Sequence, residues 1–247
     1  MVVAASERAA SREPKYYLVK RHLLDLIAAL PPGTLVPTER VLTVELGTSR
    51  TTVRRALSEL VGEGRLVRRH GSGTYVAEPK ITWPLQMTSF TEQASASGYS
   101  TSTRLLEATR TRADEGIAAR LGLRVGASTY FIERLRLVDD TPMAVETSHL
   151  SAARFPGLIP ELRKKSSLYG VLAENYGVQP VEAEETIETA SASPREADLL
   201  GVDTGSPILL LGRHSFDVDG QPIEYVRSWY RGDRYTFVAR LSAHRQE

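Results

Sequence analysis

Two sets of arginines stand out by type and spacing. Arg50 and Arg54, with Thr51 between them, open a helical pattern, and Arg134 and Arg136 alternate along a strand pattern. A guanidinium offers a planar fork of N–H donors that fits a phosphate, a carboxylate or the edge of a guanine. Glu146, on the strand that follows the second set, is able to pair with an arginine or to accept hydrogen bonds from ligand hydroxyls, and Glu224, Ser228 and Tyr230 share one face of a later strand. The chemistry on offer is therefore recognition of anions and hydroxyls. The chain has no cysteine, which excludes a thiol nucleophile, a disulfide and a Cys-ligated metal. Its five histidines are scattered, so a His-rich metal site has little support, and no cofactor is expected.

The elements that position these groups must come from 247 residues, 41% hydrophobic and 25% charged, an ordinary composition for one or two globular domains. No apolar run approaches the ~20 residues of a membrane span. The first residues lack the apolar middle of a signal peptide, so the expected location is the cytoplasm. Net charge is +1, unevenly spread: residues 1–80 hold 13 Lys/Arg against 8 Asp/Glu, and residues 81–247 hold 18 against 22. A basic module for a polyanion joined to a domain with another task fits this asymmetry.

Tyr16, Val19, Leu23, Leu26 and Leu30 recur at helical spacing, and Pro31-Pro32-Gly33 stops that helix. A short helix follows, with Thr38 as N-cap, Val41, Leu42 and Leu46 inside, and Gly47 closing it. Ser49 caps a third helix with Val53, Ala56, Leu57, Leu60 and Val61 on its buried face. Two helices joined by a short turn, the second opening Arg50-Thr51, read as a helix-turn-helix whose second helix enters the major groove. An ordinary helical hairpin with a basic face would look alike without its sequel. The sequel is Arg65 to Arg69, then His70-Gly71-Ser72-Gly73 and Thr74-Tyr75-Val76: a basic hairpin with a glycine tip, or wing. A nucleotide-phosphate loop is excluded, since neither a Lys-Ser/Thr pair nor a helix follows Gly73.

The run PTERVLTVELGTSRTTVRRALSELVGEGRLVRRHGSGTYV resembles the winged helix-turn-helix of GntR-family transcription regulators over about forty residues. It departs from the family's usual Ser-Glu-Arg-Glu at Thr38 and Val41, so the reciprocal capping contact of the later Glu is lost. The resemblance implies DNA contact by Arg40, Ser49, Arg50, Thr51, Arg54, His70 and Gly71.

Residues 79–86 break every pattern and read as a linker. Beyond it the chain contains an internal echo. Leu121-Gly122 with Gly126 precedes a strand at 130–138, and Leu200-Gly201 with Gly205 precedes one at 208–216. Each strand runs through a polar turn into another. Helix, Leu-Gly turn and hairpin thus occur twice, which predicts pseudo-symmetry within one antiparallel sheet carrying helices. Tyr130, Ile132, Arg134, Arg136 and Val138 share one strand face. Two arginines there mean either a partly solvated or paired face or an anion pocket. Ser89 and Thr91, and Ser167 with Tyr169, stand at predicted helix starts, where free N–H groups suit an anion, although plain N-caps are the simpler reading. Arg231 and Asp233 read as a structural clasp.

The segments MTSFTE (87–92), IERLRL, PMAVETSHL, SSLY, EAEETIE and QPIEYVRSWYRGDRYTFVARL are similar to the effector-binding UTRA domain of the HutC subfamily, and within it to regulators that sense amino-sugar phosphates and control N-acetylglucosamine and chitin use. The resemblance implies an α+β protein. Residues 1–13 would form a disordered tail, 14–78 the DNA-binding domain, 79–86 the linker and 87–247 an antiparallel-sheet effector domain of chorismate-lyase-like fold. It also implies that Ser89, Thr91, Arg134, Arg136, Ser167 and Tyr169 hold a phosphate while Glu146, Glu224 and Tyr230 address a sugar such as glucosamine 6-phosphate or N-acetylglucosamine 6-phosphate. The expected assembly is a homodimer on double-stranded DNA bearing an inverted repeat, since one small head is too small to specify a site. Alternatives are the same architecture sensing another small anion, such as an amino-acid catabolite, and a chorismate-lyase-like enzyme.

Overall fold

The first helix, α1 (Lys15–Ala28), starts after Pro14 and turns Val19 and Leu23 inward. The computed structural model describes residues 14–69, 71–165 and 167–241. The expected tail at residues 1–13 and His70 lie outside the described residues. The chain divides into two units, Met1–Lys80 and Ile81–Glu247.

In the first unit α2 (Glu39–Glu45) and α3 (Arg50–Gly62) form the expected helical pair. Thr38 Oγ1 accepts from the Val41 N–H at 3.4 Å, so the cap forms without a reciprocating Glu. Ser49 Oγ accepts from the Thr52 N–H at 3.1 Å. The wing is β1 (Leu66–Arg69) paired antiparallel with β2 (Gly73–Val76). Val19, Leu23, Leu42, Val53, Leu57, Leu60, Leu66 and Val76 share one core, so helices and wing are fastened together. Gly73 has φ +130, a conformation that favours glycine, and a Cβ there would also push the Leu35 side chain aside from 2.7 Å.

The second unit opens with β3 (Ile81–Pro84) and α4 (Phe90–Ala96). Then come β4 (Thr101–Arg112), α5 (Glu115–Leu121), β5 (Ser128–Val138) and β6 (Thr141–Ser151). The helices α6 (Leu158–Leu162) and α7 (Leu168–Tyr176) lead to β7 (Glu182–Ser191), α8 (Pro194–Leu200), β8 (Pro207–Phe216), β9 (Pro222–Arg231) and β10 (Tyr235–Val238). The six long strands form one antiparallel sheet in the order β4-β5-β6-β9-β8-β7. This is the predicted echo: β4-α5-β5-β6 and β7-α8-β8-β9 mirror each other across the β6·β9 pair.

The expected linker at 79–86 is corrected. Ile81–Pro84 is a strand, parallel to β10, and Trp83 is fully buried, its ring edge-on to those of Phe90 and Tyr235 at 5.0 and 4.9 Å. Four residues between Pro79 and Pro84 are too few to display an alternation, and their partner strand lies some 150 positions away. The Arg231–Asp233 clasp forms through two contacts at 3.0 and 2.6 Å.

Candidate functional site

On the first unit, Arg40, Ser49, Arg50, Thr51, Arg54 and Gly71 are all exposed. Arg50 and Thr51 are the first two residues of α3, and Arg54 lies one turn further along it. The Ser49 hydroxyl is engaged as a cap, and its carbonyl accepts from the Val53 N–H at 3.1 Å. Arg54 donates through Nε and Nη2 to both oxygens of Glu39, at 3.0–3.3 Å. Arg55 faces elsewhere: its guanidinium lies 4.1 Å from the centre of the Tyr16 ring. In the wing Arg68 reaches Ser58 at 3.4 Å. A helix start rich in cations beside a basic hairpin can grip phosphates and present donors to base edges.

On the second unit, one face of the sheet carries a polar cavity. Strand register builds it: Arg134 lies opposite Glu146, Glu146 opposite Ser228, and Ser228 opposite Leu211. One residue pair along, Arg136 faces Thr103 and Ala144, and Ala144 faces Tyr230. Phe90 and Ser89 of the α4 segment, Leu168 and Tyr169 of α7, and Phe237 of β10 complete the walls.

Arg134 is tied to Glu146 in a buried ion pair, and its Nη2 also reaches Ser148 Oγ at 3.4 Å. Arg136 is 2% exposed; it donates to Thr103 Oγ1 at 3.0 Å and lies 4.5 Å from the Phe90 ring centre. The buried Nε atoms of Arg134 and Arg136 and Oε2 of Glu224 have no hydrogen-bond partner among the described residues. Buried polar atoms in that state hold unspent bonding capacity. Burial works to raise the Glu146 carboxyl, but Arg134, Arg136 and Arg213 outweigh it and keep it ionised, below the usual carboxylate range. Burial pushes the Glu224 carboxyl up, with the Glu146 charge adding to it. Burial likewise raises the Tyr169 and Tyr230 hydroxyls, which stay neutral donors. Among the described residues the cavity thus offers at one side a guanidinium, Arg136, that feels the Glu146 charge but forms no ion pair, and at the other a carboxyl, Glu224, with one unbonded oxygen.

Seven of the nine residues expected at this site line the cavity: Ser89, Arg134, Arg136, Glu146, Tyr169, Glu224 and Tyr230. Thr91 and Ser167 do not. Ser167 Oγ accepts from the Gly170 N–H at 3.1 Å, and Ser89 forms a capping box with Glu92, so both serines are N-caps. The Tyr169 hydroxyl is 3.2 Å from Ser215 Oγ.

A profile for bacterial regulatory proteins of the gntR family matches residues 15–76, and a UTRA-domain profile matches residues 96–236. The chain belongs to the GntR family, with a UTRA domain. This GntR regulator is 39% identical over 229 residues to the HTH-type transcriptional repressor NagR of Bacillus subtilis, covering 91% of this chain and 93% of that one. It is 40% identical over 235 residues to the HTH-type transcriptional repressor PhnF of Mycolicibacterium smegmatis, covering 95% and 96%. The crystal structure of PhnF matches it with a TM-score of 0.64, covering 92% of this chain and 100% of that chain. The Histidine utilization repressor of Pseudomonas putida is 31% identical over 233 residues, covering 93% of this chain and 92% of that protein. These matches place the GntR regulator among DNA-binding transcriptional repressors, and the enzyme alternative is dropped. No helix among its described residues is long and apolar enough to cross a membrane.

Two charged lining residues of the GntR regulator, Arg213 and Glu185, paired at 2.9 Å, were not expected from the sequence. A signal was present. Gly122, Gly126 and Arg134 recur 79 positions later as Gly201, Gly205 and Arg213, so the echo puts an arginine at the same place in both halves. Burial works against the charge on Arg213, yet Glu185 beside it raises its pKa.

Proposed function

We propose that this GntR regulator is a cytoplasmic repressor whose operator affinity responds to a sugar phosphate held in the cavity of the UTRA domain, glucosamine 6-phosphate or N-acetylglucosamine 6-phosphate being the leading candidates. The observation that carries the reading is the contrast within the cavity. Arg134 forms an ion pair with Glu146, whereas buried Arg136 feels the Glu146 charge without an ion pair of its own among the described residues, bonding the Thr103 hydroxyl and lying against the Phe90 ring. A phosphate beside Arg136 supplies the missing charge and accepts charge-assisted hydrogen bonds. Glu224 and Tyr230, on the same face, suit the hydroxyl or amino groups of a sugar. The family resemblance of the flanking segments supports the same ligand class. The working form is a homodimer that places two heads on an inverted repeat.

Thermal shift with both sugar phosphates and their unphosphorylated sugars tests the reading. A ligand at 100 times its dissociation constant adds about 2.7 kcal/mol of stability. The phosphorylated sugars are expected to raise the melting temperature, and the free sugars to leave it unchanged. Equal shifts from both, or from neither, would contradict a phosphate-dependent site.

A further inference from the structure

We propose that Glu39 is a positioning residue for DNA readout: its carboxylate sets the guanidinium of Arg54 in the orientation that meets a base, so that it contributes selectivity rather than affinity. The inference rests on reading Arg54 as a residue that contacts base edges.

Glu39 is the first residue of α2, and Arg54 stands in α3, 15 positions later. Nε of Arg54 lies 3.2 and 3.3 Å from the two Glu39 oxygens, and Nη2 lies 3.0 Å from Oε2. The contact thus uses the Nε–Nη2 edge of the guanidinium. It leaves the end formed by Nη1 and the second N–H of Nη2, the pair of donors that fits O6 and N7 of guanine. A two-point contact also fixes the plane of the fork, which a free arginine on a surface does not keep.

The location makes the acid conspicuous. The Arg54 side chain is 64% exposed and Glu39 32%, and a pair so placed contributes little to fold stability. An anion on a face that meets phosphates opposes binding. The hydrogen bond from Arg54 holds the Glu39 carboxyl below its ordinary range against the effect of burial, with the charges of Arg54, Arg68 and Arg50 assisting. Glu39 therefore stays ionised among three arginines that come from the third helix and the wing. One competing explanation is that an acid at the first position of α2 serves only the helix dipole.

The test uses the full chain and a duplex that the wild-type protein selects from a randomised library. Binding is measured to that duplex, to its single-base-pair variants and to an unselected duplex, for wild type, Arg54→Ala, Glu39→Asp and Glu39→Gln. Arg54→Ala is expected to relax the preference at one base-pair position. Glu39→Asp and Glu39→Gln are expected to lose about tenfold or more of discrimination at that same position. Glu39→Gln should meanwhile bind the unselected duplex at least as tightly as wild type, because a negative charge has left the face. Asp keeps the charge and suits the helix start, so a loss in Glu39→Asp separates positioning from electrostatics; it also carries the test should Glu39→Gln fold poorly. Wild-type discrimination in both Glu39 variants, with Arg54→Ala relaxed, overturns the role of Glu39 alone. No relaxed position in Arg54→Ala overturns the reading of Arg54, and the role of Glu39 with it.

Discussion

Arg134 and Arg136 stand two residues apart on one strand face, yet their surroundings assign them different work. Arg134 is locked to Glu146 with almost no exposure, so Arg134→Ala leaves a buried carboxylate unpaired and should cost about 3–5 kcal/mol in a denaturant melt. Arg136 forms no ion pair among the described residues, bonding the Thr103 hydroxyl and lying against the Phe90 ring, so Arg136→Ala should stay folded and lose its response to a sugar phosphate. Equal loss of stability in both variants would contradict this division. Glu224 gives a pH signature. Its folded pKa is raised, so the native state binds a proton more readily than the unfolded chain, and this contribution is lost as pH rises above about 4.5. The melting temperature of Glu224→Gln minus that of wild type should therefore grow with pH over that range; a constant difference would mean that Glu224 does not titrate this way. The two arginines were legible in the sequence because strand alternation put them together. Their division of labour was not: Glu146 was readable on the hairpin partner as a group able to pair with an arginine, but strand register decides that it meets Arg134 while Thr103 meets Arg136.

At the scale of elements, the helices and wing of the DNA-binding unit were readable because each announces itself locally. Caps at Thr38 and Ser49, glycines at the turns and helical spacing lie within a few residues of one another. The sheet was readable in outline because the chain repeats the unit. The strand β3 escaped because its evidence is non-local. Its pairing with β10 buries Trp83 among Phe90 and Tyr235 and sets the start of α4, whose Phe90 faces Arg136. Trp83→Ala should cost about 3–5 kcal/mol in the second unit, read as a lowered urea midpoint. A midpoint near that of wild type would show that β3 is dispensable. Thr91 and Ser167 were expected at the site from their places at helix starts and from the family resemblance, and neither lines the cavity.

At the scale of the whole molecule, the proposed function requires that a ligand in one unit change DNA affinity in the other, a coupling between two sites. Such a coupling requires the effector to favour one of two states of the protein by its differential affinity. The direct measurement is operator binding titrated with glucosamine 6-phosphate and N-acetylglucosamine 6-phosphate, for wild type and Arg136→Ala. At least one sugar phosphate should shift the wild-type dissociation constant about fivefold or more, the ordinary size of an allosteric coupling. Arg136→Ala should bind operator as wild type does and show no shift. An effector shift that persists unchanged in Arg136→Ala, or an operator affinity indifferent to every sugar phosphate, would contradict the account.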